Sequence, residues 1–209
     1  MRNKSMLILL AATVIAGCAV VKDYADVATR KGLSEEYRKI LTLWTREETL
    51  FSQFETRLKV TAVYKSPAFR NAYRAELDRL YRGQQMERDV EVPAMSYQSS
   101  DSIEFFFYAY TPDREMNDFA DARSPWRVFL SSDRDPAIKS QDLHEINARN
   151  PFVTELFPFV NPYHGKFYSI SFPAPAIKSM QAGAPSGKLL LSFGGIFGTV
   201  ELTWDKPVF

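Results

Sequence analysis

Ser102-Ile103-Glu104-Phe105-Phe106-Phe107-Tyr108-Ala109-Tyr110 is the stretch that decides the fold. Side chains along a strand alternate between its two faces. Here Phe105 and Phe107 fall on one face, and Phe106 and Tyr108 fall on the other. A strand that is apolar on both faces belongs inside a sheet covered on both sides. This segment therefore reads as a central strand, and the chain around it must supply a layer for each face.

Downstream, the pattern stays mostly β. Trp126 to Leu130 is a short strand, and Ala137 to Ile146 has no decisive period. Lys166 to Phe172 alternates Phe167, Ser169 and Ser171 against Tyr168, Ile170 and Phe172. Lys188–Phe193 and Ile196–Trp204 read as strands joined by Gly194-Gly195, a two-residue hairpin signal. Segments 112–125 and 173–187 are rich in Pro, Gly, Asp and Ala and read as loops. Phe152 to Asn161, with Pro158 inside it and Pro162 just after, reads as a turn packed on the core.

Upstream, Ser34-Glu35-Glu36 is a helix start: an N-cap followed by two acids in the positive first turn. Tyr37, Ile40, Leu41 and Trp44 recur at helical spacing, which predicts a helix to about residue 50. From Phe54 the period becomes two. Thr56, Leu58, Val60, Ala62 and Tyr64 face one way, with Arg57, Lys59, Thr61 and Val63 opposite, as in a half-exposed strand. Ser66-Pro67 opens a second helix with the apolar stripe Phe69, Tyr73, Leu77 and Leu80, and Gly83 suits its end. Arg70, Arg74, Arg79 and Arg82 read as its solvated face, with contact to anionic lipid headgroups or envelope polymer as the functional alternative.

The bulk composition fits this pattern. Of 209 residues, 45% are hydrophobic and 24% charged, so the chain should fold rather than stay disordered. Sixteen Phe and ten Tyr favour strands and a bulky core. The net charge is +1. Setting aside Arg2 and Lys4, which belong to the leader discussed next, leaves 24 of the 26 cations against 25 acids. Such a balance gives no basic footprint for nucleic acid. One cysteine excludes a disulfide framework.

That cysteine ends a distinctive leader. Arg2 and Lys4 form a basic start, and Met6 to Ala16 is an apolar run of 11 residues. This is too short to span a bilayer, which takes about 20 residues, and it suits an export signal. Ile15-Ala16-Gly17-Cys18 resembles the lipobox of bacterial lipoproteins. The resemblance covers residues 1–18. It implies that Cys18 receives a diacylglyceryl group and that signal peptidase II, recognising Ile15, Ala16 and Gly17, cuts just before it. The partner it implies is membrane lipid, bound through the acylated cysteine. Ala19 replaces the Asp that retains enterobacterial lipoproteins at the inner membrane, which points to the periplasmic face of the outer membrane.

No catalytic set stands out. His144 and His164 lie outside metal-type motifs, and a zinc site needs three or four ligands. Either histidine could serve a serine as base, but no Gly-x-Ser-x-Gly elbow is present. Leu143-His144-Glu145-Ile146 lacks the second histidine of a zincin. Gly194-Gly195-Ile196-Phe197-Gly198 lies between strands, whereas a phosphate loop precedes a helix. Asp113, Asp118, Asp121, Asp133 and Asp135 could offer calcium oxygen ligands from loops, or could simply make turns. Phe209 follows Pro207, which interrupts the alternation a membrane barrel strand needs.

These readings divide the chain into a signal peptide (1–17), a lipidated tether (18–33) and one globular domain (34–209). The domain is expected to be α+β: an antiparallel, sandwich-like sheet system of about six or seven strands with two N-terminal helices packed on it. The expected function is a non-enzymatic scaffold or interaction domain in the cell envelope, with no cofactor and no metal. The alternatives are a module binding an apolar or envelope-derived ligand in an aromatic-lined cleft and, third, a hydrolase with dispersed residues.

Overall fold

The computed structural model describes residues 32–52, 54–81, 102–177 and 187–205. Ile15, Ala16, Gly17 and Cys18, most of the expected tether, Arg82, Gly83, Pro207 and Phe209 lie outside the described residues.

Ser34 caps the first helix, its Oγ accepting from the Tyr37 N–H at 3.2 Å. Helix α1 (Glu35–Trp44) buries Tyr37, Leu41 and Trp44. It stops at Trp44 rather than near residue 50. Thr45 is extended, its Oγ1 donates to the Leu41 carbonyl at 2.6 Å, and Thr45–Ser52 forms strand β1. β1 pairs antiparallel with β2 (Glu55–Tyr64) along its whole length. Arg46-Glu47-Glu48 tolerates a helix locally, but the ladder outweighs that weak preference. β2 is half-exposed only in its first half, because Thr61 and Val63 are buried as well as Leu58, Val60, Ala62 and Tyr64.

Helix α2 (Pro67–Tyr81) starts at Ser66, whose Oγ accepts from the Phe69 N–H at 3.1 Å. Its stripe buries Phe69, Tyr73 and Leu80. Arg70 and Glu76 are also buried, so the arginines do not form one solvated face. Arg74 and Arg79 are exposed.

β3 (Ser102–Tyr110) is followed by β4 (Trp126–Ser132), β5 (Ile138–Lys139) and β6 (Asp142–Ile146). Asn150 then caps a short helix, α3 (Pro151–Leu156), through its side chain and the Phe152 N–H. Helix thus replaces much of the expected turn, with Phe152, Val153, Leu156 and Phe157 buried. The chain continues through β7 (Lys166–Pro173), β8 (Lys188–Gly195) and β9 (Gly198–Asp205).

The strands form two antiparallel sheets, ordered β1-β2-β3-β7-β6 and β5-β4-β8-β9. The α+β, mostly antiparallel character is as expected. The count differs, with nine strands and three α-helices among the described residues. The two C-terminal strands turn at Ile196-Phe197, not at Gly194-Gly195, because Gly195 pairs with Gly198. A Cβ on Gly195 would overlap the Trp126 ring, and Gly198 takes φ +134°. The glycines serve a close approach and the far side of the turn.

β3 is the middle strand of its sheet, with Phe105, Phe106 and Phe107 fully buried. On one face, Phe105 meets Trp204 of β9 at 5.1 Å between ring centroids, and Phe107 meets Phe193 of β8 at 5.1 Å. On the other, Phe106 meets Phe157 at 5.3 Å, which continues to Phe69 of α2 and on to Tyr37 of α1. The second sheet covers one face and the helices with the residue 157 turn cover the other. Full burial of each Phe contributes about 1.5–3 kcal/mol, so the double coverage is a large part of what holds the layers together.

Candidate functional site

Strand direction gathers several loops at one end of the sheets. β1 turns into β2 there, with Ser52 opposite Glu55. β3 ends there at Tyr110, opposite Lys59, and β7 begins there at Lys166, opposite Ala109. The β8–β9 turn lies at the same end, because the Arg57 guanidinium stands over the Phe197 ring at 5.4 Å. Leu50 Cδ1 also lies 3.1 Å from where a Cβ on Gly198 would sit.

Four of the five exposed large apolar side chains among the described residues are at this end: Phe51, Phe54, Tyr163 and Ile196. Leu43, on α1, is the other. Phe54 is fully exposed and has φ 67°, the sole non-glycine positive φ among the described residues. Left-handed backbone costs a non-glycine residue about 1–2 kcal/mol, and an exposed phenylalanine returns nothing to folding. Residues held against local preference cluster at functional sites.

Two clefts open beside these tips. Asn161 anchors the turn beside them. Its carbonyl accepts from the His164 N–H at 3.3 Å, the Gly165 N–H at 3.2 Å and the Tyr108 hydroxyl at 3.1 Å. Its Oδ1 accepts from the Tyr163 N–H at 3.0 Å. A Cβ on Gly165 would overlap Tyr108 and the Ala109 carbonyl, so the turn lies directly on β3. Burial pushes the Tyr108 hydroxyl above its ordinary pKa, against the hydrogen bond to Asn161, so it stays a donor.

His164 lines both clefts. One, of about 270 Å³, is lined by Arg114, Arg149, Lys166 and Asn117 with the 162–165 turn. Arg114 begins a 3-10 turn (Arg114–Met116) capped by Asp113, and its Nη2 donates to the Tyr163 carbonyl at 3.1 Å. Asn117 closes that turn; its Nδ2 donates to the Ala109 carbonyl at 3.0 Å. Its Oδ1 is buried without a hydrogen bond. The other cleft, of about 440 Å³, has Tyr108, Tyr110 and Phe159 as apolar wall and Glu47, Lys59, Thr61 and Asn161 as polar lining. Glu47 accepts from Thr61 and pairs with Lys59, each at 2.8 Å. A third cleft, of about 380 Å³, opens beside Trp126 and Lys139, and the Trp126 Nε1 is buried without an acceptor.

The other sequence candidates are spread apart. His144 is exposed on β6, its Nδ1 3.0 Å from Asp142. Asp113, Asp121, Asp133 and Asp135 make turn and backbone contacts with Glu115, Arg123, Lys188 and Ser132, and Asp118 approaches Lys166 at 3.7 Å. Among the described residues, no group of three or more His, Cys, Asp and Glu side chains is placed to hold a metal. Arg114, Arg149 and Asn117 had no periodicity to mark them. The one local signal near them was Asn161-Pro162 with Gly165, a turn pattern.

A buried ionic cluster lies elsewhere, beneath the helices. Lys65 Nζ is 3.3 Å from Glu104 Oε2, and Arg70 Nη2 is 3.3 Å from the same oxygen. Ser102 donates to Glu104 Oε1 at 3.0 Å, and the ammonium stands 3.7 Å from the Phe106 ring centroid. Lys65 Nζ also reaches Ser169 Oγ at 3.0 Å, a serine–lysine pair of the kind some hydrolases use. Burial pushes the Lys65 ammonium down to about 8 while Glu104 pulls it back up. The Lys65 side chain is 1% exposed, which keeps substrate away, so the cluster is structural.

The fold and its loop end define a two-sheet β domain with clefts and exposed apolar tips on one side. Comparison with protein-family models, curated proteins and solved structures finds no match for this chain.

Proposed function

We propose that this chain is a membrane-anchored envelope lipoprotein whose folded domain docks another envelope protein through its loop end. Residues 1–17 are the export signal, Cys18 carries the lipid, the segment to residue 33 is the tether, and 34–209 is the domain, read as a β-sandwich with its helices on one sheet. The periplasmic face of the outer membrane is its place of work. The leader supports the anchor. Among the described residues no helix is long and apolar enough to cross a membrane, and the reading needs none. One observation carries the docking: a closed aromatic core with four of the five exposed large apolar side chains among the described residues collected at one end. Small scattered apolar exposure is ordinary, whereas collected exposure marks contact surfaces.

The test is crosslinking in the native membrane followed by capture of the full chain. Phe54→Ser combined with Ile196→Ser is expected to leave stability within about 0.5 kcal/mol, as for surface sites, and to abolish the crosslinked product. An unchanged product, or none with the wild type, contradicts the docking reading. The clefts beside His164 favour a second reading, a module for an envelope-derived ligand. The interior is filled by aromatic rings, so that ligand sits at the loop end and not between the sheets.

A further inference from the structure

We propose that the two clefts meeting at His164 form one site for a sugar that carries an anionic group. The inference rests on the second reading above and names its ligand class. Arg114 and Arg149 line the smaller cleft, and no carboxylate lines it. The Lys166 ammonium there is engaged by Glu145 at 2.9 Å and Asp118 at 3.7 Å, which leaves the two guanidiniums as the cations for a ligand. Guanidinium binds carboxylate or phosphate through paired N–H donors.

The smaller cleft also holds His164, the side chain it shares with the larger cleft and the second element of the site.

The larger cleft supplies the third element. Tyr110 and Phe159 line it with aromatic rings, and Thr61, Lys59 and Glu47 line it with hydrogen-bonding groups. An apolar wall with a polar rim fits a ring whose faces are C–H and whose edge is hydroxyl. A flat heteroaromatic base also stacks on aromatic rings, but its edge lacks the hydroxyls that would meet the polar rim. The same chemistry occurs in a carboxylated sugar of a cell-wall polymer and in a phosphorylated sugar of a lipid headgroup.

The experiment is calorimetric titration of the full chain in detergent micelles with D-glucuronate, glucose 1-phosphate, glucose and AMP. The expected result is saturable binding of one of the two anionic sugars, with glucose and AMP at least about tenfold weaker. The preferred sugar tells whether carboxylate or phosphate is the natural group. Arg114→Gln with Arg149→Gln is expected to weaken binding about tenfold or more at unchanged melting temperature. Tyr110→Ala is expected to weaken it without changing its salt dependence. Absence of binding by both anionic sugars, equal binding of glucose or AMP, or a double variant that binds like the wild type overturns the proposal. Cys18 labelling and partner capture are read separately, so the anchored-scaffold reading stands or falls independently.

Discussion

Glu104 stands between two buried cations, and its removal tests how the middle of the fold is held. With Glu104→Gln, Lys65 and Arg70 lose their shared countercharge while remaining buried. Breaking such an arrangement costs about 3–5 kcal/mol, which a shift in the urea midpoint will show. A loss below about 1 kcal/mol would mean that water reaches the cluster. Burial raises Glu104, but the charges of Lys65 and Arg70 and the hydrogen bond from Ser102 together hold it below the usual carboxylate range. Glu76 is likewise raised by burial and lowered further by hydrogen bonds from Arg79 and Ser34. Their stabilisation is complete above the ordinary carboxylate range and is lost as pH falls through the lowered values. Lys65 acts at the other end. Between about 8 and 10.5 the unfolded chain holds a proton that the folded chain has released, so this group makes stability rise with pH. Burial pushes Tyr37, Tyr64 and Tyr168 above their ordinary 10.0. Above that pH the unfolded chain releases protons that the folded chain keeps, so stability falls. Urea unfolding against pH is expected to show an acid loss, a rise beginning near pH 8 and a decline above 10. Lys65→Met is expected to remove the rise. A rise that persists in that variant contradicts the assignment.

At the scale of elements, glycine and turn positions make the sharpest predictions. Gly195→Ala must push against Trp126, and overpacking of this kind costs about 1–3 kcal/mol. A melting temperature equal to the wild type would show that the β8–β9 turn is placed differently. Phe54→Gly relieves the left-handed backbone and is expected to leave stability unchanged or raise it. Strand β3 was legible to the residue, because a run of aromatics on both faces has one stable place. The caps at Ser34 and Ser66 were legible because their hydrogen bonds are local. The end of α1 was not: Thr45–Ser52 becomes a strand through pairing with β2, and pairing partners are absent from a local pattern. Arg70 was read as solvated because its partner Glu104 lies on another element. The clefts were not legible for the same reason. Arg114, Arg149 and His164 come from three loops that strand order alone brings together.

At the scale of the molecule, the layers divide the work. The ring-filled interior and the helices fix the domain, and the loop end carries exposed apolar groups that folding does not need: Phe54, Ile196 and Tyr163. The proposed anchor would give such a surface its place. One acyl chain binds a bilayer marginally, while two or three hold it for the life of the protein. Under the proposed anchoring, the 15 residues between Cys18 and the domain, at most about 3.3–3.6 Å each if extended, would set how far from the lipid the domain can work. The proposed envelope role depends on that cysteine. The direct measurement is labelling of cells with radioactive palmitate, comparing wild type with Cys18→Ala. The account predicts label on the wild-type protein and none on the variant, which should also keep its leader. Equal label on both, or none on either, contradicts it.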